Sequence, residues 1–145
     1  MSTLTDNHVD FKQELPAVYE LFNQIHVEIA KTGLDSRLCH LVMLRASQIN
    51  QCSFCIAYHL KDARRENESQ EKLDLLPAWQ HVDVFSAEEK AALEYTEALT
   101  RLDRTDEHGR IRSELLTYFN SAQVAGLTGV IAMINVWNRL HIATY

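Results

Sequence analysis

The chain has 145 residues, 46% of them hydrophobic and 23% charged, with a formal net charge of −6. That length suits one domain that buries a core without disulfide staples, and the acidic balance argues against a nucleic-acid partner, because phosphate recognition needs a basic face. No apolar run reaches the roughly 20 residues that span a bilayer, and Met1 to Asn7 shows no secretory signal, so the expectation is a soluble, cytoplasmic protein with no membrane partner.

Residues 1–14 read as an N-terminal segment ahead of one domain over 15–145. From Pro16 to Lys31 the apolar residues Val18, Leu21, Phe22, Ile25 and Ile29 recur at three- and four-residue steps, which predicts an amphipathic helix. Thr32-Gly33 ends it, with Gly33 suited to a left-handed cap. Asp35 or Ser36 caps a second helix carrying Leu38, Leu41, Val42, Leu44 and Ile49. The cysteine segment runs from Cys52 to about Glu66. Its basic stretch, Lys61 to Arg65, is broken by Asp62 and reads as a solvated helix face.

A shorter helix is expected over Ser69 to Leu76, stopping before Pro77. Ser86 to Glu89 has capping-box spacing and opens a helix to about Leu102. Asp103 to Gly109 is a polar connection, Ile111 to Phe119 a short helix, and Asn120 to Gln123 a second capping box opening a helix to about Ala143. Within that last helix Gly126 and Gly129 predict close approach to a neighbour, since glycine inside a helix costs about 1 kcal/mol relative to alanine. Strand-like alternation is nowhere sustained, so the fold class is all-α, with about six to seven helices.

Three cysteines are too few and odd in number for a secreted disulfide framework. Cys52 and Cys55 are two residues apart, and His59 follows Cys55 by four. On a helix the three share one face, and a helix beginning near Cys52 favours a thiolate there through its free N–H groups and dipole. A thiolate that attacks a hydroperoxide becomes a sulfenic acid, which a second cysteine condenses to a disulfide.

Rival readings are structural zinc, for which a second ligand pair is missing; inert core thiols; and a thioredoxin-type fold, which needs βαβ elements. Cys39 reads as a packing residue. His8, His81 and His108 read as solvated, and His26 and His141 as surface or packing residues. Trp79, Trp137, Phe85 and Phe119 read as core or interface.

The run from Leu41 to Arg64, together with Phe85 to Glu89 and Ile134 to Leu140, resembles the alkylhydroperoxidase D-like proteins of the carboxymuconolactone decarboxylase superfamily, over roughly residues 15 to 143. The resemblance implies an all-α fold and a homo-oligomer, a trimer or a hexamer built from trimers. It implies reduction of organic hydroperoxides or hydrogen peroxide with no metal, haem or flavin cofactor, and re-reduction by an external thiol reductant. By the same resemblance Cys55 is the peroxidatic cysteine, Cys52 the resolving one and His59 the proton-relay histidine. The family pattern places a glutamate twelve residues before the first cysteine; here that position is His40, which is expected to take the relay role with an altered pH optimum. Decarboxylation of a carboxymuconolactone-type substrate, in a branch that does not rely on a CxxC pair, and a non-enzymatic oligomeric redox sensor or binding protein are the alternatives.

Overall fold

A computed structural model describes residues 7–103 and 107–144; Met1 to Asp6, residues 104–106 of the polar connection, and Tyr145 lie outside the described residues. Among the described residues the chain is all-α with no strand. The helices are α1 (Phe11–Glu14), α2 (Pro16–Ala30), α3 (Ser36–Ile49), α4 (Ser53–Arg65), α5 (Gln70–Leu75), α6 (Ala87–Arg101), α7 (His108–Tyr118) and α8 (Ser121–Thr144), with a 3-10 helix over Leu76–His81. The seven expected helices are present. The eighth, α1, is a single turn capped by the Asp10 carboxylate, which accepts from the Lys12 and Gln13 amides. Its Phe11 ring stacks on Phe22 of α2 at 6.2 Å.

The stop expected before Pro77 is a change of helix type instead. Proline lacks only an amide that the first turn leaves unbonded, so the chain continues past Leu75 as a 3-10 helix with Pro77 near its start. Elsewhere the expected caps hold, although α7 begins at His108, inside the expected polar connection. Gly33 adopts φ +80°, the Asp35 carboxylate accepts from the Arg37 amide, and Ser86 and Glu89 bond each other's backbone in a complete capping box.

α3 is covered almost all round, with no exposed residue from Leu38 to Ile49, and it lies between the two cores. Leu38, Val42 and Ala46 pack with residues of α6, α7 and α8, among them Tyr95, Leu115, Leu127 and Ile131. Leu41 and Leu44 join a second core with Ala63 of α4, Leu73 of α5, Trp79 and Phe85. Trp79 and Phe85 are thus core residues. Glu97 of α6 joins three elements by accepting from Arg45, Trp79 and Arg101. Burial pushes the Glu97 carboxyl up, but the bonds from Trp79 and Arg45 and the charges of Arg45 and Arg101 bring it below the usual range.

α2 differs from the other long helices in having no buried residue. Leu21 and Ile25 of its apolar stripe stay exposed. The end of α2 meets α8 at Gly129, and the turn after it meets α8 at Gly126. A Cβ on Gly126 would lie 2.9 Å from the Thr32 hydroxyl and 3.1 Å from Leu34, while one on Gly129 would lie 2.9 Å from the terminal methyl of Ile29.

The two positions are expected to behave differently. The Thr32 side chain is short and held by its hydrogen bond to the Ile29 carbonyl, so it yields little. Overpacking by a methyl costs about 1–3 kcal/mol, against about 1 kcal/mol of helix propensity gained. Gly126→Ala should lower the urea-unfolding free energy by about 1 kcal/mol. Gly129→Ala, opposed only by the end of a flexible side chain, should change it by less than about 0.5 kcal/mol. Equal losses at both positions would contradict this account.

Candidate active site

The site begins where α3 hands the chain to α4. The Gln51 amide bonds the Gln48 carbonyl and the Cys52 amide bonds the Ser47 carbonyl, with Gln51 in the left-handed region at φ +57°. That pairing is a Schellman closure, and it places Cys52 as the N-cap of α4. The backbone of Cys52 is extended there, and its sulfur accepts the Cys55 amide. Cys52 therefore precedes the helix rather than lying on its face, while Cys55, His59 and Ala63 form the buried stripe of α4.

The handover is held from α8. The Asn50 amide donates to Asn135 and Asn138, both at 2.9 Å, and the buried Asn138 donates to the Ser47 hydroxyl at 3.0 Å. Cys52 and Cys55 are joined in a disulfide with Cα atoms 5.3 Å apart. Both are buried, at 2% and 3% exposure. They differ in access, because Cys55 lines a pocket of about 370 Å³ whereas Cys52 is not part of its lining.

His59 and His40 also line this pocket, so the structure brings Cys55, His59 and His40 together there, with Cys52 behind them. The imidazole rings of His40 and His59 are 6.1 Å apart. The Nδ1 atoms of both are buried without a hydrogen-bond partner among the described residues. Burial lowers the His59 pKa from 6.5 to about 3, helped by His40, His26 and His141 around it. His40 Nε2 lies 3.5 Å from a carboxylate oxygen of Glu66, and the Ser36 hydroxyl donates to the other oxygen at 2.7 Å. A second Schellman closure, with Asn67 left-handed at φ +60°, sets Glu66 at the end of α4.

His26 and His141, read from the sequence as surface or packing residues, are in the pocket wall, as is Trp137. The Trp137 indole donates to His26 at 2.8 Å, and His141 stacks on Phe54 at 4.2 Å. Burial lowers the pKa of His26 and of His141, where the charge of Asp10 opposes it. Cys39 stays outside this chemistry. Burial, with the charges of Asp35 and Glu66, pushes its thiol up to about 11, far from a thiolate at neutral pH. Among the described residues no cluster of His, Cys, Asp or Glu is arranged to hold a metal ion, and no helix is long and apolar enough to cross a membrane.

Residues 16–98, more than half of the chain, match the Carboxymuconolactone decarboxylase family. The chain belongs to the carboxymuconolactone decarboxylase family. It is 37% identical over 135 residues to the uncharacterized protein YdfG of Bacillus subtilis (strain 168), covering 93% of this chain and 92% of that one. A solved structure of a protein of unknown function from Agrobacterium tumefaciens, assigned provisionally to antioxidant defence as AhpD, superposes with a TM-score of 0.87 at 27% identity, covering 94% of each chain. This bears out the alkylhydroperoxidase D-like resemblance of the run from Leu41 to Arg64. The fold alone is shared with a cysteine-to-alanine variant of the debrominase Bmp8 in complex with 2,3,4-tribromopyrrole, at a TM-score of 0.79 and 19% identity, over 91% of this chain and 71% of that one. Within this carboxymuconolactone decarboxylase family protein, the two cysteines stand at disulfide distance at the head of α4.

The burial of His59 sets a measurable pH behaviour. The unfolded chain takes up a proton at this position near 6.5, and the folded site refuses it down to about 3. Stability should therefore fall as pH drops through that window, by at most about 1.4 kcal/mol per pH unit from this group. In NMR the His59 imidazole signals should stay fixed between pH 7.5 and 5, and a midpoint near 6.5 would refute the burial argument.

Proposed function

We propose that the protein is a thiol peroxidase with a CxxC disulfide cycle, and the observation that carries this reading is the pocket that reaches Cys55 and not Cys52. In the reduced protein the Cys55 thiolate attacks the terminal oxygen of a hydroperoxide. The O–O bond breaks, the alkoxide leaves with a proton as an alcohol, and Cys55 becomes a sulfenic acid. The Cys52 thiol then displaces water to form the disulfide. Two equivalents of an external thiol return the pair to its reduced state and leave as a disulfide.

Cys55 lies in the first turn of α4 and Cys52 caps it, so both sulfurs are within reach of its N-terminal field. His59 stands one turn beyond Cys55 and is neutral, so it can accept the Cys55 proton. His40 continues the relay, and Glu66 supplies from behind it the negative charge that a glutamate at position 40 would have supplied directly. The same resemblance extends to assembly, where a homo-oligomer would cover the exposed apolar stripe of Leu21 and Ile25 on α2. A location in the cytoplasm would suit this chemistry, since reduced thiols persist there.

A redox sensor is the second reading, favoured by the burial of both sulfurs beside an exposed apolar helix. The pocket weighs against a carboxymuconolactone substrate, which is anionic, because no lysine or arginine lines it.

Mass spectrometry of the reduced protein, seconds after stoichiometric cumene hydroperoxide, decides between peroxidase and sensor. The peroxidase reading expects a loss of two hydrogens mapped to a Cys52–Cys55 bridge. Thiols untouched for minutes would sink it, and sedimentation that changes with redox state would then favour the sensor. His59→Ala should slow bridge formation by about a hundredfold, the lower range of general acid–base catalysis. Glu66→Gln and His40→Glu should each alter the pH profile of the rate. An unchanged rate at every pH for either variant removes that residue from the relay.

A further inference from the structure

We propose that the pocket over Cys55 selects an uncharged, aromatic hydroperoxide and turns away anionic ones, a substrate class that rests on the peroxidase reading above. The pocket, at about 370 Å³, falls in the size range of small-molecule sites, about 300–1,000 Å³. Its walls are rings. Phe54 and Tyr58, one turn apart on α4, stack with centroids 6.2 Å apart. Across from them Tyr19 of α2 meets Trp137 of α8 edge-on at 5.1 Å. Such faces favour a ring laid against them through offset or edge contacts.

Phe54 and Tyr58 support the same reading by their exposure. They are 44% and 53% exposed, although each sits within one helical turn of the buried Cys55. Large aromatic residues in that position keep apolar surface open at the approach to the sulfur. Hydrogen peroxide gains nothing from this surface, whereas an aryl hydroperoxide covers it.

The electrostatics decide against an acid. Asp62 is the carboxylate in the lining, and neither lysine nor arginine lines the pocket. Arg65 pairs with Asp62 at 3.4 Å on the side of α4. Glu66 stands behind His40, and the charge of Asp10 is felt at His141. Lys12 lies outside the lining, with its ammonium 5.2 Å from the Tyr19 ring centre. Burial keeps His26, His59 and His141 toward their neutral forms. A carboxylate entering would lose its water shell and meet Asp62, with no lysine or arginine in the wall to pair with.

The test compares cumene hydroperoxide with its para-carboxylate and with tert-butyl hydroperoxide, following bridge formation in the reduced protein by rapid-quench mass spectrometry. Binding of the unreactive products, cumyl alcohol and its para-carboxylate, is followed in parallel by tryptophan fluorescence. The expected result is a rate about tenfold higher for cumene hydroperoxide than for either competitor, the equivalent of one aromatic contact or one unpaired charge. Phe54→Ala and Tyr58→Ala, at half-exposed positions, should each reduce the preference over tert-butyl hydroperoxide, and Asp62→Asn should narrow the penalty on the carboxylate.

Equal rates for the three peroxides would leave the peroxidase reading standing and overturn the selectivity. No bridge with any peroxide, but binding of cumyl alcohol without its carboxylate, would overturn the peroxidase reading and uphold the pocket's preference. Equal binding of the two products, or binding of neither, overturns the preference outright.

Discussion

The amide of Asn50 holds the site together. It reaches from the end of α3 to two asparagines of α8, Asn135 and Asn138, and Asn138 in turn reaches Ser47. Polar groups buried in this way are costly to leave unpaired, so the four side chains admit few alternative arrangements. They lock the end of α3 at the residue from which the Schellman closure starts. Gln51 then turns left-handed, Cys52 becomes a helix cap, and α4 sets out with Cys55 and His59 on its buried stripe. Through those few bonds, the direction of α4 against α3 and α8 determines what lies over the sulfur.

Charge is managed in layers around that point. The innermost layer holds the imidazoles of His26, His59 and His141, whose pKa values burial lowers, with His59 the most affected. Carboxylates form the next layer, Glu66 behind His40 and Asp62 in the wall. The Glu97 ion pair lies outside the pocket lining, where Arg45 and Trp79 converge to tie α3, α6 and the 3-10 helix.

Much of this fold is legible in the sequence because its signals are local. Caps at Asp35, Ser69 and Ser86 mark helix starts, and the closing glycine at Gly33 marks an end, all within a few residues of the structure they specify. The pair Gly126 and Gly129 also announces a close approach, though not the partner, which proves to be the end of α2 and the turn that follows it. The less legible features depend on residues distant in the chain. His26 meets Trp137 across 111 positions, so neither looks like a pocket residue from its own neighbours. Glu66 reads as one charge among many until the second Schellman closure turns it back toward His40. The apolar stripe of α2 shows correct helical spacing, yet periodicity alone does not tell whether the chain itself covers that stripe.

The unreactive third cysteine has its own consequence. Thiol–disulfide exchange proceeds through a thiolate, so its rate follows the fraction of thiol that is deprotonated. With a pKa of about 11 for Cys39, roughly one such thiol in ten thousand is ionised at pH 7. In the proposed cycle the Cys52–Cys55 bond opens and closes many times, and it shares its chain with a sulfur too seldom charged to invade it. Scrambling within the molecule, and cross-linking between copies through Cys39, are suppressed by kinetics, and the carboxylates of Asp35 and Glu66 contribute to that suppression from the protein surface.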